Sequence, residues 1–314
     1  MKSKTKAQTK SKEYDIIIVG AGPAGMSAGI YAARQKLKTL MIARSLGGQL
    51  SLATSVENWP GIKSISGFEL TKQFEEHLRQ YDISIESEEV SEIRKSKKGF
   101  SVKTSNDEFS CKAVIVTAGR ISRKLNVPGE SRYLGKGISS CATCDAPLFG
   151  GKTVAVAGTG NAAMNVVMQL SKYAKKIILL SKYNKLKGDK VVIDRINDLK
   201  KKEKIEIFHS SKTLEIIGDK FVNAIRIEHG GKEKTLKVDG VFVEIGMTPE
   251  TDFIDFVHKN EKGEIIVNNN CETNTKGVFA AGDCTNVPYK QIVISAGEGA
   301  KAALSASKYL DSLK

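Results

Sequence analysis

Apolar residues in this chain gather into short β-branched runs that stop at small residues, and helical stretches follow them. Asp15 to Val19 runs directly into Gly20-Ala21-Gly22-Pro23-Ala24-Gly25 and a helical stretch from Met26 to Gln35. Strand, glycine turn and helix in that order is the setting a dinucleotide fingerprint requires. Gly20 permits the tight turn, Gly22 lets backbone approach a pyrophosphate, and Gly25 lets the helix lie close to the strand. The helix start then faces phosphates with free N–H groups and the positive end of its dipole. A second copy lies downstream, where Lys152 to Ala157 leads into Gly158-Thr159-Gly160-Asn161-Ala162-Ala163 and a helix to about Tyr173. Alanine is accepted at the third position, here Ala163. Runs at Thr39–Ile42 and Lys176–Leu180 continue each unit as βαβ. Two such units predict an α/β chain with two Rossmann-like dinucleotide-binding domains, each with its own nucleotide site.

An acid normally ends the second strand of such a unit and meets a ribose. Both copies lack it: Ala43 and Arg44 stand there in the first, Ser181 and Lys182 in the second. Two further buried-strand runs, Ala113 to Gly119 and Gly277 to Asp283, end in small residues, the latter with an acid directly after Gly282. Turn signals at Val127-Pro128-Gly129 and Gly246-Met247-Thr248-Pro249 bracket the second unit. The expected organisation is a basic disordered tail (1–13), a first domain in two parts (14–124 and 248–314), and a second domain (125–247) inserted into it.

Composition narrows the class without changing that picture. The length of 314 residues suits two domains, and 40% hydrophobic with 27% charged residues is ordinary for a soluble chain. No run reaches the length of a membrane span, and the start MKSKTKAQTKSKEYD lacks a signal peptide's apolar stretch, so the cytoplasm is the expected compartment. The 49 Lys and Arg against 35 Asp and Glu leave a net charge of +14. The lysines are spread along the chain, and their densest run (Lys200, Lys201, Lys202, Lys204) has no stacking aromatics, so nucleic-acid binding is not expected. An acidic protein partner is the best functional use of the excess.

Cys141-Ala142-Thr143-Cys144-Asp145 carries the chemistry, because two thiols at this spacing close and open a small disulfide loop. Zinc is the main rival. It takes four ligands, and the chain offers no second CxxC, only scattered Cys111, Cys271 and Cys284 and four His. Two buried thiols with no role are the bland alternative, weakened by Asp145, an adjacent proton donor and acceptor for a leaving thiolate. The other three cysteines are read as packing residues.

Taken together, GAGPAG, GGQL (47–50), VENWPG (56–61), CATCD, GTGNAA and FAAGDC resemble the low-molecular-weight thioredoxin reductases over nearly all of the chain from Tyr14 onward. From Cys271 to Leu310 the sequence is also similar to the flavoprotein component of alkyl hydroperoxide reductase, a sister in the same family. The resemblance implies an FAD site on Gly20, Gly22, Pro23, Ala24 and Gly25, with Gly48, Gln49 and Asn58 near the isoalloxazine. Val90, Gly119, Gly282, Asp283, Gln291 and Ile292 complete it, the last two opening a C-terminal helix to about Tyr309. It implies that Cys144 faces the flavin, that Cys141 attacks the substrate disulfide, and that Asp145 is their acid and base. A homodimer is implied, as is a rotation of the inserted domain about hinges near Leu125–Pro128 and Gly246–Pro249.

The resemblance strains at the electron donor. Family members that use NADPH carry an arginine-rich motif after the second strand of the inserted domain, and NADH users carry an acid. Here Ser181-Lys182-Tyr183-Asn184-Lys185-Leu186-Lys187 is neither. The surviving fingerprint (Gly158, Gly160, Asn161, Ala163) with Lys182 favours a nicotinamide, NADPH over NADH, while ferredoxin or a reduced deazaflavin stays open. The leading expectation is a thioredoxin-disulfide reductase using FAD, with a thioredoxin-like dithiol protein as partner. The alternatives are a reductase of a dithiol carrier that feeds a peroxiredoxin, and a flavin-binding electron carrier without disulfide chemistry.

Overall fold

The computed structural model describes residues 13–53 and 56–314, apart from the side chains of residues 143 and 144. The lysine-rich tail expected at the N-terminus lies outside the described residues, save Glu13, which is strand rather than tail. Glu13 and Tyr14 pair with Ser110 and Cys111, and this ladder extends the strand. The chain divides into two compact units, residues 1–120 with 249–314 and residues 121–248.

The first unit opens with β1 (Glu13–Val19), α1 (Pro23–Arg34), β2 (Thr39–Ile42), α2 (Gly67–Leu78), β3 (Ser84–Glu86), β4 (Val90–Ser96), β5 (Gly99–Thr104) and β6 (Glu108–Val116). After β7 (Arg120–Ser122) come α3 (Glu130–Tyr133), β8 (Ile138–Ser139), α4 (Ala142–Asp145), β9 (Thr153–Ala157), α5 (Asn161–Leu170), β10 (Lys176–Leu180), α6 (Lys190–Lys201) and β11 (Ile205–Phe208). Strands β12 (Ser211–Gly218), β13 (Val222–His229), β14 (Lys232–Lys237) and β15 (Gly240–Val243) complete the second unit up to β16 (Met247–Pro249). The first unit then closes with β17 (Val278–Ala280) and α7 (Ile292–Asp311).

In the first unit the sheet order is β3-β2-β1-β6-β5-β4. On the edge away from β1, strand β6 has two partners in succession: its first half pairs antiparallel with β5, and its second half pairs parallel with β17. Side chains alternate across the sheet, so Ile16, Ile18, Ala113 and Ile115 pack with α1 and α7, while Ile17, Val19, Val114 and Val116 pack with β4, β5 and the segment around Ile254. Both faces are covered, which is why these strands read as unbroken apolar runs. Helix α1 begins at Pro23, ahead of the expected Met26, because proline at the first helical position loses no needed N–H.

The second unit repeats the plan with a parallel sheet of order β11-β10-β9-β15-β8 and a separate antiparallel meander β12-β13-β14. Val154, Val156, Ile177, Leu179 and Phe242 face α5 and α6, and Ala155, Ile178, Leu180, Val241 and Val243 face the meander. Helix α5 stops at Leu170 rather than Tyr173. The segment expected as a hinge at Leu125–Pro128 is built into this unit: the buried Glu130 carboxylate accepts from the Leu125 and Asn126 N–H groups at 2.8 and 2.7 Å, and Ile216 N–H donates to Pro128 O at 3.0 Å. Among the described residues no helix is long and apolar enough to cross a membrane.

Candidate functional site

In the first unit the glycine turn is held by close approach. A Cβ on Gly20, whose φ is +105°, would lie 2.4 Å from Thr117 O, and one on Gly25 would lie 2.0 Å from Gly20 O. Gly22 caps α1 with no side-chain hydrogen bond. In front of it is space, since a Cβ there would meet only Gly47 O at 3.9 Å. Pro23 and Ala24 complete the first turn of α1, and Ala24 is pressed by α7, where a Cβ on Gly299 would come within 1.9 Å of Ala24 O. The start of α1 is thus fixed on two sides and open on the third, a cradle of the kind that accepts a pyrophosphate.

Most of the other expected residues of this unit contact the turn or one another, with one exception. A Cβ on Gly48 would lie 3.5 Å from Gly22 Cα, and Gly119, with φ +72°, faces free space. Gln49 Nε2 donates to Arg120 O at 3.4 Å, and Asn58 Nδ2 donates to Gln291 Oε1 at 3.1 Å, so Asn58 meets the residue that caps α7. Ile292 opens α7 and packs on Leu50, Val56 and Leu70. Ser295 Oγ donates to Asp283 Oδ1 at 3.1 Å. A Cβ on Gly282 would lie 3.0 Å from Ala24 Cβ, which brings the Gly-Asp turn against α1. Val90 is the exception: its side chain lies in the core cluster with Val102 and Ile93.

Two residues that sequence reasoning passed over hold this arrangement. Thr117 Oγ1 reaches Val19 O and Gly20 O at 3.0 and 2.8 Å and locks the turn. Buried Glu298 accepts the Gly282 N–H at 2.9 Å, and burial pushes its carboxyl above the ordinary value. Its signal was a carboxyl inside the apolar stripe Ser295, Glu298, Gly299, Ala302 of α7. Arg44, at the position where the ribose acid is missing, is engaged by Glu89 at 2.5 Å and Glu250 at 2.6 Å.

Cys141, in the second unit, is disulfide-bonded, whereas Cys111, Cys271 and Cys284 of the first unit are free and buried. Burial pushes those three thiols up to about 12, 11 and 11, so they stay protonated and inert. Cys141 N–H donates to Ser139 Oγ at 2.9 Å, and Asp145 N–H donates to Cys141 O at 3.0 Å, which closes the α4 turn. Ala142 and Ala146 anchor that turn in the core with Phe149 and Met164. The Cys144 sulfur lies outside the described atoms. Among the described residues no cluster of three or more His, Cys, Asp and Glu is arranged to hold a metal.

The second fingerprint is partly covered by the loop after β10. Lys187 N–H donates to Thr159 O at 3.0 Å, Asp189 N–H donates to Asn161 Oδ1 at 2.9 Å, and Lys187 Nζ stands 3.6 Å from the Tyr183 ring centroid. Asn161 therefore fixes the loop, and Lys182 is exposed beside it. Gly160 caps α5 with space before it, a Cβ meeting only Lys187 O at 3.7 Å, and Ala163 is fully buried. Glu244, directly after β15, was also missed; its signal was a carboxyl ending the apolar run Val241-Phe242-Val243.

Residues 14–300 match the family described as pyridine nucleotide-disulphide oxidoreductase. The F subunit of alkyl hydroperoxide reductase from Staphylococcus epidermidis is 40% identical over 302 residues, 95% of this chain and 59% of that protein, so the chain spans about three-fifths of the curated relatives it matches. Thioredoxin reductase of Lactococcus lactis, solved in its FR conformation, superposes with a TM-score of 0.87 at 32% identity, covering 95% of this chain and 99% of that one. Thioredoxin reductase of T. acidophilum gives 0.84 at 38% identity over 97% of this chain and all 100% of its own.

Proposed function

Because the chain belongs to the pyridine nucleotide-disulphide oxidoreductase family, as a flavin oxidoreductase of thioredoxin reductase-like fold, we propose that it is a thioredoxin-disulfide reductase. Two electrons pass from a reduced donor, NADPH, by way of FAD and the Cys141/Cys144 dithiol to a thioredoxin-like protein. The observation that carries this reading is the bonded Cys141 on a turn anchored in the unit with the second fingerprint, while the three cysteines outside the motif are buried thiols. FAD, when bound, supplies the two-electron relay between donor and dithiol.

In the first unit the N–H groups at the start of α1 would hold the pyrophosphate, and Asp283, oriented by Ser295, would take a ribityl hydroxyl. Gly48, Gln49, Asn58, Gly119, Gln291 and Ile292 would be the residues beside the ring, and the positive end of α7 would favour negative charge there. In the second unit Gly158, Gly160 and Ala163 let the donor approach, with Lys182 as a point charge for a 2′-phosphate. The Cys141 thiolate attacks the partner's disulfide and forms a mixed disulfide. The Cys144 thiolate then attacks Cys141 Sγ, which releases the partner as a dithiol and leaves Cys141 and Cys144 joined. Asp145 gives the proton that the leaving thiolate takes up.

The partner's chemistry has support in the charge. Residues 121–248 contain 23 Lys and Arg against 13 Asp and Glu, so the unit that carries the dithiol holds most of the positive excess and favours an acidic protein. The enzyme works as a homodimer in the cytoplasm on this reading. A dithiol carrier that feeds a peroxiredoxin is the second reading, favoured by the 40% identity to the S. epidermidis protein. Anaerobic titration of the yellow protein with NADPH, NADH and reduced ferredoxin tests the donor by bleaching of the flavin band. Turnover with thioredoxin, against turnover with a separate peroxiredoxin-coupled carrier, tests the partner. A colourless protein that does not retain FAD, or a dithiol that stays oxidised beside fully reduced flavin, overturns the assignment.

A further inference from the structure

Both units close their glycine turn with the residue directly after the strand beside the fingerprint strand, and they use opposite chemistry to do it. In the first unit that residue is Thr117. Its N–H donates to Val19 O at 2.7 Å, and its hydroxyl is occupied by the turn carbonyls. A Cβ on Gly25 would lie 2.8 Å from the hydroxyl, so the side chain reaches the first turn of α1. In the second unit Glu244 holds the same place: its N–H donates to Ala157 O at 2.7 Å, and its carbonyl would lie 2.3 Å from a Cβ on Gly158.

Alternation along β15 sets the Glu244 side chain on the Phe242 face of the sheet, the face that packs α5. Its carboxyl therefore stands on the side where the first turn of α5 offers N–H groups to an anion. Burial alone governs its affinity for a proton and raises it to about 7. Of the charged groups, Arg123 has its Cδ 3.9 Å from a Cβ placed on Gly246, and no charged group shifts Glu244.

Resting on the reading of the second unit as the donor site, we propose that Glu244 is a specificity-determining residue of that site, and that its carboxyl must be protonated for a nicotinamide dinucleotide to seat its phosphates at the start of α5. An ionised carboxylate on that side repels the pyrophosphate. A neutral carboxyl donates a hydrogen bond to a phosphate oxygen instead. Donor binding then takes up a proton, and affinity falls as pH rises through the Glu244 transition.

The test is calorimetric titration of the flavin-loaded protein with NADP⁺, which binds without reducing the flavin, from pH 6 to pH 9 in buffers of different ionisation heat. The wild type is expected to lose about tenfold in affinity per pH unit on the alkaline side, and to take up as much as about one proton per NADP⁺ there. Glu244→Gln is expected to bind at least about tenfold more tightly than wild type at pH 8.5, with the uptake gone. Titration of the ligand's own 2′-phosphate is common to both proteins, so the difference between them isolates Glu244. Glu244→Ala, with its flavin content measured, guards against a folding defect in a single variant. Parallel pH profiles in wild type and variants overturn the role of Glu244 and leave the donor reading standing. Absence of NADP⁺ binding to wild type and variants alike, with flavin retained, overturns the donor reading and this proposal together.

Discussion

In the first unit a Cβ on Gly25 would come within 2.0 Å of the Gly20 carbonyl, whereas the corresponding position of the second unit already carries the Ala163 methyl. There Gly158 makes the room, since a Cβ on it would lie 2.6 Å from that methyl. The coverings differ as well: α7 presses on Ala24 in the first unit, and a loop fixed by single hydrogen bonds to Thr159 and Asn161 lies over the second. A turn locked by backbone on two sides suits a resident ligand. A turn covered by a loop that a few hydrogen bonds hold suits a ligand that comes and goes. One spacing of small residues thus serves two ways of binding, and the neighbours rather than the motif decide which.

Substitution at the dithiol separates the units most sharply. Cys141→Ser is expected to lower disulfide reduction by about 10³-fold or more while leaving the yellow colour and its bleaching by the donor intact, as stopped-flow absorbance will read. If colour is lost with activity, the independence of the two units fails. Gly25→Ala is next: the added methyl would meet the Gly20 carbonyl at 2.0 Å and the Thr117 hydroxyl at 2.8 Å, so the purified protein is expected to lose its flavin, measured as the ratio of visible to ultraviolet absorbance. Its mirror, Ala163→Gly, is expected to cost no more than about 1 kcal/mol in thermal unfolding.

The units also part in their response to pH. A carboxyl at about 7 in the folded state, raised from 4.5, holds a proton that the unfolded chain gives up earlier. Stability is therefore lost as pH rises from about 4.5 to about 7 and is level above that. Glu244→Gln is expected to remove this decline, on the order of 2 kcal/mol after allowing for partial exposure, in denaturant melts taken at pH 5 and pH 8. Smallest of all is the expected effect of replacing Cys111, Cys271 or Cys284 by Ala one at a time. Turnover should be unaltered, and iodoacetamide should label only the reduced dithiol of the native protein, because the three buried thiols stay protonated.

What the chain's pattern revealed, and what it hid, follows from where the interactions lie. Strands β2 and β10 match their apolar runs residue for residue because both faces of each are covered. The meander was not read, since β14 (Lys-Glu-Lys-Thr-Leu-Lys) is mostly exposed and has no apolar alternation to betray it. In the site, the glycines were legible because steric need selects them locally. Thr117, Glu244 and Glu298 were not, because each acts on a turn far away in sequence: Thr117 on Gly20, Glu244 on Gly158, Glu298 on Gly282. Val90, expected at the flavin site, turns its side chain into the core, which leaves its backbone as the part that can face a ligand.

Strand β17, which pairs with the second half of β6, and α7, which covers α1, both follow residues 121–248 in the chain. On the ribosome, the entire inserted unit is therefore synthesised before the surrounding one can finish its sheet or bury the apolar side of α1. The later-starting unit can mature while the earlier one waits with hydrophobic surface bare, and the flavin cradle acquires its last wall only when the final helix emerges.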